Sequence, residues 1–179
     1  MRRLIVLSLG AVLLLAPVSG CKRKRKPASE TASKEAPTEP ATMLGTADPR
    51  SALQLTKGFH EIENGGWRWS SKEFSASLKG PSTGAEKGAT LVLKFSVVED
   101  SIAKLGPLTL SAKVAEKACP TRKFDKAGSY EYKCDIPAAA FESGRLVPVD
   151  FALDKVLPMT GSDQRELGLV VMMVGFEAK

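Results

Sequence analysis

The chain holds a single histidine, His60, so any nucleophilic or multi-histidine metal scheme has only one imidazole to work with. His60 lies in Gly58-Phe59-His60-Glu61-Ile62-Glu63, ahead of a Gly65-Gly66 turn, a context that predicts an exposed loop or edge-strand position. Gly65-Gly66 has neither the spacing nor the lysine of a phosphate-binding loop. Paired carboxylates can hydrolyse glycosides, yet no spacing singles out a pair. Asp163, Glu166, Glu99 and Asp100 are equally candidates for a structural calcium, but no ligand-loop pattern surrounds them. One constellation stands out: Trp67-Arg68-Trp69 contains both tryptophans of the chain. On a strand the two indoles share one face and Arg68 takes the other. Two readings follow. Either the indoles fill the core, or they form a platform on which the C–H-rich face of a sugar or a peptide side chain stacks while neighbouring Arg and Glu bond its polar groups.

Cysteines are the second chemical resource, and they number three. Cys119 and Cys134 are separated by PTRKFDKAGSYEYK, with a turn at Ala127-Gly128, which predicts that they face each other across a hairpin and form a disulfide. A metal or redox pair is the rival reading, but there is no CxxC spacing and no neighbouring histidine. The pairing requires an oxidising compartment and another role for Cys21.

The N-terminus supplies both. Arg2 and Arg3 precede Leu4 to Val18, a run of 15 residues apolar except for Ser8. This is short for a membrane span and suits the hydrophobic region of an export signal. It ends in Val18-Ser19-Gly20-Cys21, which resembles the bacterial lipoprotein lipobox. The resemblance implies cleavage before Cys21, diacylglycerol on its sulfur, further acylation, and anchoring without a span. Lys22, rather than Asp, after that cysteine implies the outer membrane. The run Lys22 to Lys26 either meets an anionic surface or is simply solvated.

Those basic residues explain the formal charge of +6. Arg2, Arg3 and the five at positions 22 to 26 are seven of 26, so the remaining 19 face 20 acidic residues. Without net positive charge the domain lacks the term that drives non-specific nucleic-acid binding, and that class is excluded. From Pro27 to Pro49 the chain is rich in Pro, Ala, Ser, Thr and Glu and lacks aromatics, which predicts a disordered tether. About 28 residues of coil would span roughly 30 Å.

After Arg50 the dominant pattern has period two. Phe74, Ala76 and Leu78 alternate with polar residues, as do Leu91 to Val97, Leu108 to Val114, and Val147 to Leu153. Each predicts a strand with one buried face, and the intervening Gly- and Pro-rich turns predict an antiparallel sandwich. Leu167 to Phe176 is apolar on both alternating sets, which predicts a central strand. Its second side is expected to be covered by the segment around Leu53 to Phe59.

GFHEIENGGWRWSS near the domain's start and VDFALDKVLPMTGSDQRELGLVVMMVGF near its end resemble a bacterial β-sandwich domain found alone in lipoproteins and beside glycosyltransferase-like proteins. The matching positions are Gly58, Phe59, Glu61, Trp67, Arg68, Trp69, Asp163, Arg165, Glu166 and Gly168. His60 stands where the relatives often carry an aromatic residue, and the cysteine pair is not a feature of them. The resemblance implies a jelly-roll sandwich of carbohydrate-binding type.

The expectation is therefore all-β: an antiparallel, jelly-roll-like β-sandwich at 50–179, behind a lipoprotein signal peptide at 1–20 and a lipidated tether at 21–49. The expected function is non-catalytic, with no cofactor and no metal: an envelope lipoprotein, anchored through Cys21, that binds a glycan or glycoconjugate through His60, Trp67, Arg68, Trp69, Arg165 and Glu166. The alternative is a structural or assembly lipoprotein that binds another envelope protein. A hydrolase would need His60 and two carboxylates converging in one cleft.

Overall fold

The alternating runs become strands in the computed structural model, which describes residues 39–141 and 145–179. In chain order they are β1 (Met43–Gly45), β2 (Leu55–Glu63), β3 (Trp67–Lys79), β4 (Ala89–Val97), β5 (Leu108–Val114), β6 (Lys117–Ala118), β7 (Arg122–Phe124), β8 (Gly128–Ile136), β9 (Leu146–Leu153) and β10 (Val170–Ala178). Two short helices, α1 (Gly84–Lys87) and α2 (Glu99–Leu105), occupy the turns on either side of β4. All strand pairs are antiparallel, and the fold is an all-β sandwich.

The sandwich arises because one long strand serves two layers. One edge of β3 is lined by β2; the other pairs first with β10, through Arg68 and Trp69, and then with β9, from Glu73 to Lys79. Strands that change partners in this way make the corners of sandwiches. From that corner one layer runs through β9 to β5, which carries β7 and β6, and the other runs through β10 and β4 to β8. The predicted inward sets, including Phe74, Leu91, Phe95, Leu110, Val149 and Phe151, are all buried in a single core cluster. Phe74 and Phe151 are cross-strand partners whose rings stack at 4.8 Å, and Phe59 meets Phe74 edge-on at 5.4 Å. Each such side chain contributes about 1.5–3 kcal/mol of burial.

Three details differ from the sequence expectation. Strand β10 is central, but its alternation breaks at a bulge between Val171 and Met173. The extra residue lets Leu169, Val171, Val174 and Phe176 all enter the core, so strict alternation assigns the wrong faces to Met173 and Val174. The second edge of β10 is completed by β1 and the start of β3, whereas Leu53 is 81% exposed and β2 lies along β3. Since β1 falls within 21–49, part of the segment expected to be a tether is a strand. A strand of three residues has too little sequence to show a period.

The third difference concerns the cysteines. Cys119 and Cys134 form a disulfide with Cα atoms 5.9 Å apart, but not across a hairpin. Strand β7 pairs with β5 and β8 pairs with β4, so the bond joins the free ends of the two layers. Farther along the same seam Phe124 packs edge-on against Phe95 at 5.1 Å and lies 4.7 Å from the Tyr130 ring. The open side of the sandwich is thereby sewn shut.

Candidate functional site

The two faces of β3 have opposite fates. Arg68, Ser70, Phe74, Ala76 and Leu78 are buried, so the even positions other than exposed Lys72 point inward. Trp67, Trp69 and Ser71 therefore point outward, half-buried, and neither tryptophan belongs to the core cluster. The indole nitrogen of Trp67 is itself covered and has no hydrogen-bond partner among the described residues.

Outward residues gather at this corner because the loop before β10 folds back over it. Leu157 and Leu167 form an isolated antiparallel bridge that closes the loop on itself. At its base the Gly168 amide donates to the Ser70 carbonyl at 2.7 Å, and the Leu169 amide donates to Ser70 Oγ at 3.0 Å. A Cβ at Gly168 would come within 2.6 Å of Ser70 Oγ and 2.8 Å of a Leu153 methyl, so only glycine allows the loop this close. Gly58 has a similar constraint on β2. Its φ is +70°, and a side chain there would overlap the Glu73 carbonyl. Both glycines of the sequence motif thus serve backbone geometry.

Charge organises the loop's outer surface. Arg165 donates from Nε and one terminal nitrogen to the two carboxylate oxygens of Asp163, at 2.9 and 2.8 Å. Its other terminal nitrogen donates to Glu63 at 2.6 Å. Glu63 is in turn the cross-strand partner of Trp67. His60 reaches the same loop: its Nε2 lies 2.8 Å from the Glu166 carbonyl oxygen and 3.3 Å from Ser71 Oγ. Since a carbonyl only accepts, Nε2 carries the proton in that contact.

Of the sequence candidates, His60, Trp67, Trp69, Arg165 and Glu166 are thus brought to one outer corner. Arg68 is not. It is 8% exposed and donates to the Thr46 carbonyl at 2.9 Å and the His60 carbonyl at 2.8 Å, tying the chain after β1 to β2. Strand alternation put it opposite the indoles, and that side is the interior, so it is a positioning residue. Glu166 contributes its backbone carbonyl to His60. Glu63 was missed as a candidate, although the three-residue turn Asn64-Gly65-Gly66 places it opposite Trp67 by count. Cys21 lies outside the described residues.

The electrostatics limit what this corner can do. The hydrogen bonds from Arg165, above all, hold the Asp163 carboxyl down to about 2. The same contacts, with Asp163 first and Glu63 second, raise the Arg165 guanidinium further above its ordinary value. A general acid needs a carboxyl whose pKa is raised towards the working pH, so Asp163 is unsuited to that role. The corner presents a fixed planar cation, the two side chains that accept from it and an aromatic flank.

Elsewhere a cleft of about 500 Å³ lies among Val114, Glu116, Lys117, Pro137, Ala140 and Leu146. Among the described residues its lining is largely apolar and includes no Ser, Thr, Cys or His. Among the described residues no group of three His, Cys, Asp or Glu side chains is placed to share a metal ion, and no helix is long and apolar enough to cross a membrane. The chain matches no protein-family model and no curated protein sequence.

Proposed function

We propose that this chain is a non-catalytic envelope lipoprotein, anchored through Cys21, whose sandwich binds a glycan or glycoconjugate at the Trp67–Trp69 corner. The observation that carries the reading is the outward placement of both indoles beside the Arg165 ion-pair cluster. A half-buried indole offers an apolar face to a sugar ring, and the ordered Arg165, Asp163 and Glu63 groups offer donors and acceptors for its hydroxyls. Titration with purified cell-wall and lipopolysaccharide fragments, after a glycan-array screen, tests it. Binding that Trp69→Ala abolishes is the expected result, and no binding at millimolar ligand sinks the idea. Anchoring has its own test: Cys21→Ser is expected to move the protein from the detergent phase to the aqueous phase.

A second reading has one observation in its favour. The hydrogen bonds of Arg165 are made to Asp163 and Glu63 of the same domain, as a structural or assembly protein with no sugar ligand would have them. Crosslinking in cells distinguishes the two, since a stable envelope-protein partner retained by Trp69→Ala favours this second reading.

A further inference from the structure

Strand β8 ends one layer of the sandwich. One edge is paired with β4 over its whole length from Gly128 to Ile136, and no strand among the described residues pairs with the other. Backbone groups on an antiparallel strand alternate between its two edges. The carbonyls of Glu131 and Asp135 face the free edge, because they receive side-chain donors from outside the ladder: Arg122 at 2.8 Å and Lys117 at 2.8 Å. By alternation Lys133 faces it too. This edge would be a template for a further strand but for the segment 117–122, which lies along it. That segment is backbone-bonded to the opposite layer, through β6 and the Cys119 amide, which donates to the Ala112 carbonyl at 2.9 Å. Its hold on β8 includes the two side-chain bonds above, the Tyr132 hydroxyl donating to the Pro120 carbonyl at 2.7 Å, and the Cys119–Cys134 bond. Only the last is covalent.

The sequence of β8 specifies what fits the uncovered edge. Its outward side chains are Ser129, Glu131, Lys133 and Asp135, all exposed. If two copies of β8 pair antiparallel about a two-fold axis at Tyr132, Glu131 of each copy stands opposite Lys133 of the other, and both residues present their backbone groups to the shared ladder. Opposite charges directly across a ladder are favourable, and a two-fold pairing supplies the contact twice.

We infer that the Cys119–Cys134 disulfide is a redox gate on a self-association edge: it holds segment 117–122 over β8, and its reduction lets two copies pair through β8. A small dithiol supplies the chemistry. Its thiolate attacks one sulfur to give a mixed disulfide, and its second thiol displaces the protein sulfur. Two electrons and two protons pass to Cys119 and Cys134, and the dithiol leaves as a cyclic disulfide. This gate is independent of the glycan reading, because it lies on different strands from the tryptophan corner.

The test uses the full chain carrying Cys21→Ser, so that only this pair responds, followed by sedimentation before and after dithiothreitol. A monomer when oxidised and a dimer when reduced is expected. Lys133→Glu should abolish the dimer by setting like charges opposite Glu131, and the exchange Glu131→Lys with Lys133→Glu should restore it. Both positions are exposed, so near-ultraviolet circular dichroism is expected to be unchanged in these variants. A reduced chain that stays monomeric at its solubility limit overturns the inference. A reduced dimer indifferent to Lys133→Glu, or one that the charge exchange fails to restore, overturns it too.

Discussion

The two places where the layers meet are built from opposite materials. At the tryptophan corner the junction is polar: Ser70 holds Gly168 and Leu169, and Arg68 holds two backbone carbonyls from the interior side. At the seam the junction is aromatic and covalent, with the Phe95, Phe124 and Tyr130 cluster at one end and the disulfide towards the other. The first depends on geometry that only particular residues allow, and the second on oxidation state. A continuous strand, β3, crosses the corner, whereas no backbone ladder among the described residues crosses the seam. The corner is thus suited to hold a rigid surface, while the seam can open without dismantling either layer.

Substitutions graded by size sharpen that contrast. The largest effect is expected at Gly58, where a methyl group meets the Glu73 carbonyl at positive φ; Gly58→Ala should cost about 4 kcal/mol or prevent folding. Chemical denaturation measures it, and a loss below about 1 kcal/mol would mean that β2 shifts easily away from β3. Next comes the seam. Replacing Cys119 and Cys134 by Ser removes a bond closing a separation of 15 residues, worth roughly 3 kcal/mol in the chain-entropy model. The domain should stay folded and melt lower, as calorimetry at low protein concentration can show. Equal loss of hydrogen-exchange protection at Ser70 and at Tyr132 would erase the distinction between the two junctions.

Arg68→Leu strands buried carbonyl groups and should cost about 2 kcal/mol. Trp67→Phe should change stability by less than about 0.5 kcal/mol, because it deletes a covered donor that has no acceptor among the described residues. The smallest effect concerns pH. The Asp163 carboxyl is lowered in the folded chain, so its contribution is present above about 3.8 and fades as the pH falls towards 2. Asp163→Asn should flatten the acid side of the pH–stability profile by lowering stability at neutral pH while leaving it nearly unchanged near pH 2; an unaltered acid limb would show that the Arg165 pair adds nothing to loop docking.

Period-two alternation made four of the strands and their inward residues legible, since a half-buried strand must write its burial into alternate positions. The bulge in β10 was not legible, because both of its sets are apolar and either register satisfies the pattern. Nor was β1, whose pairing with β10 comes from a partner about 130 residues away along the chain. The candidate site was partly legible: five of the six residues named converge, and the alternation that separates Arg68 from the tryptophans was known. Which of those two faces was the interior was not, because Trp and Arg each bury a body and expose a tip in many sandwiches.

The amino-acid sequence by itself determined the all-β class and the inward faces of β4, β5, β9 and the Phe74–Leu78 end of β3, because each is written in local period. Tertiary structure alone decided that β3 turns the corner with its tryptophans outside, that Gly168 docks on Ser70, and that the disulfide closes a seam. Those outcomes depend on contacts between segments distant in sequence, where the energy resides in a shared interface that neither segment encodes alone.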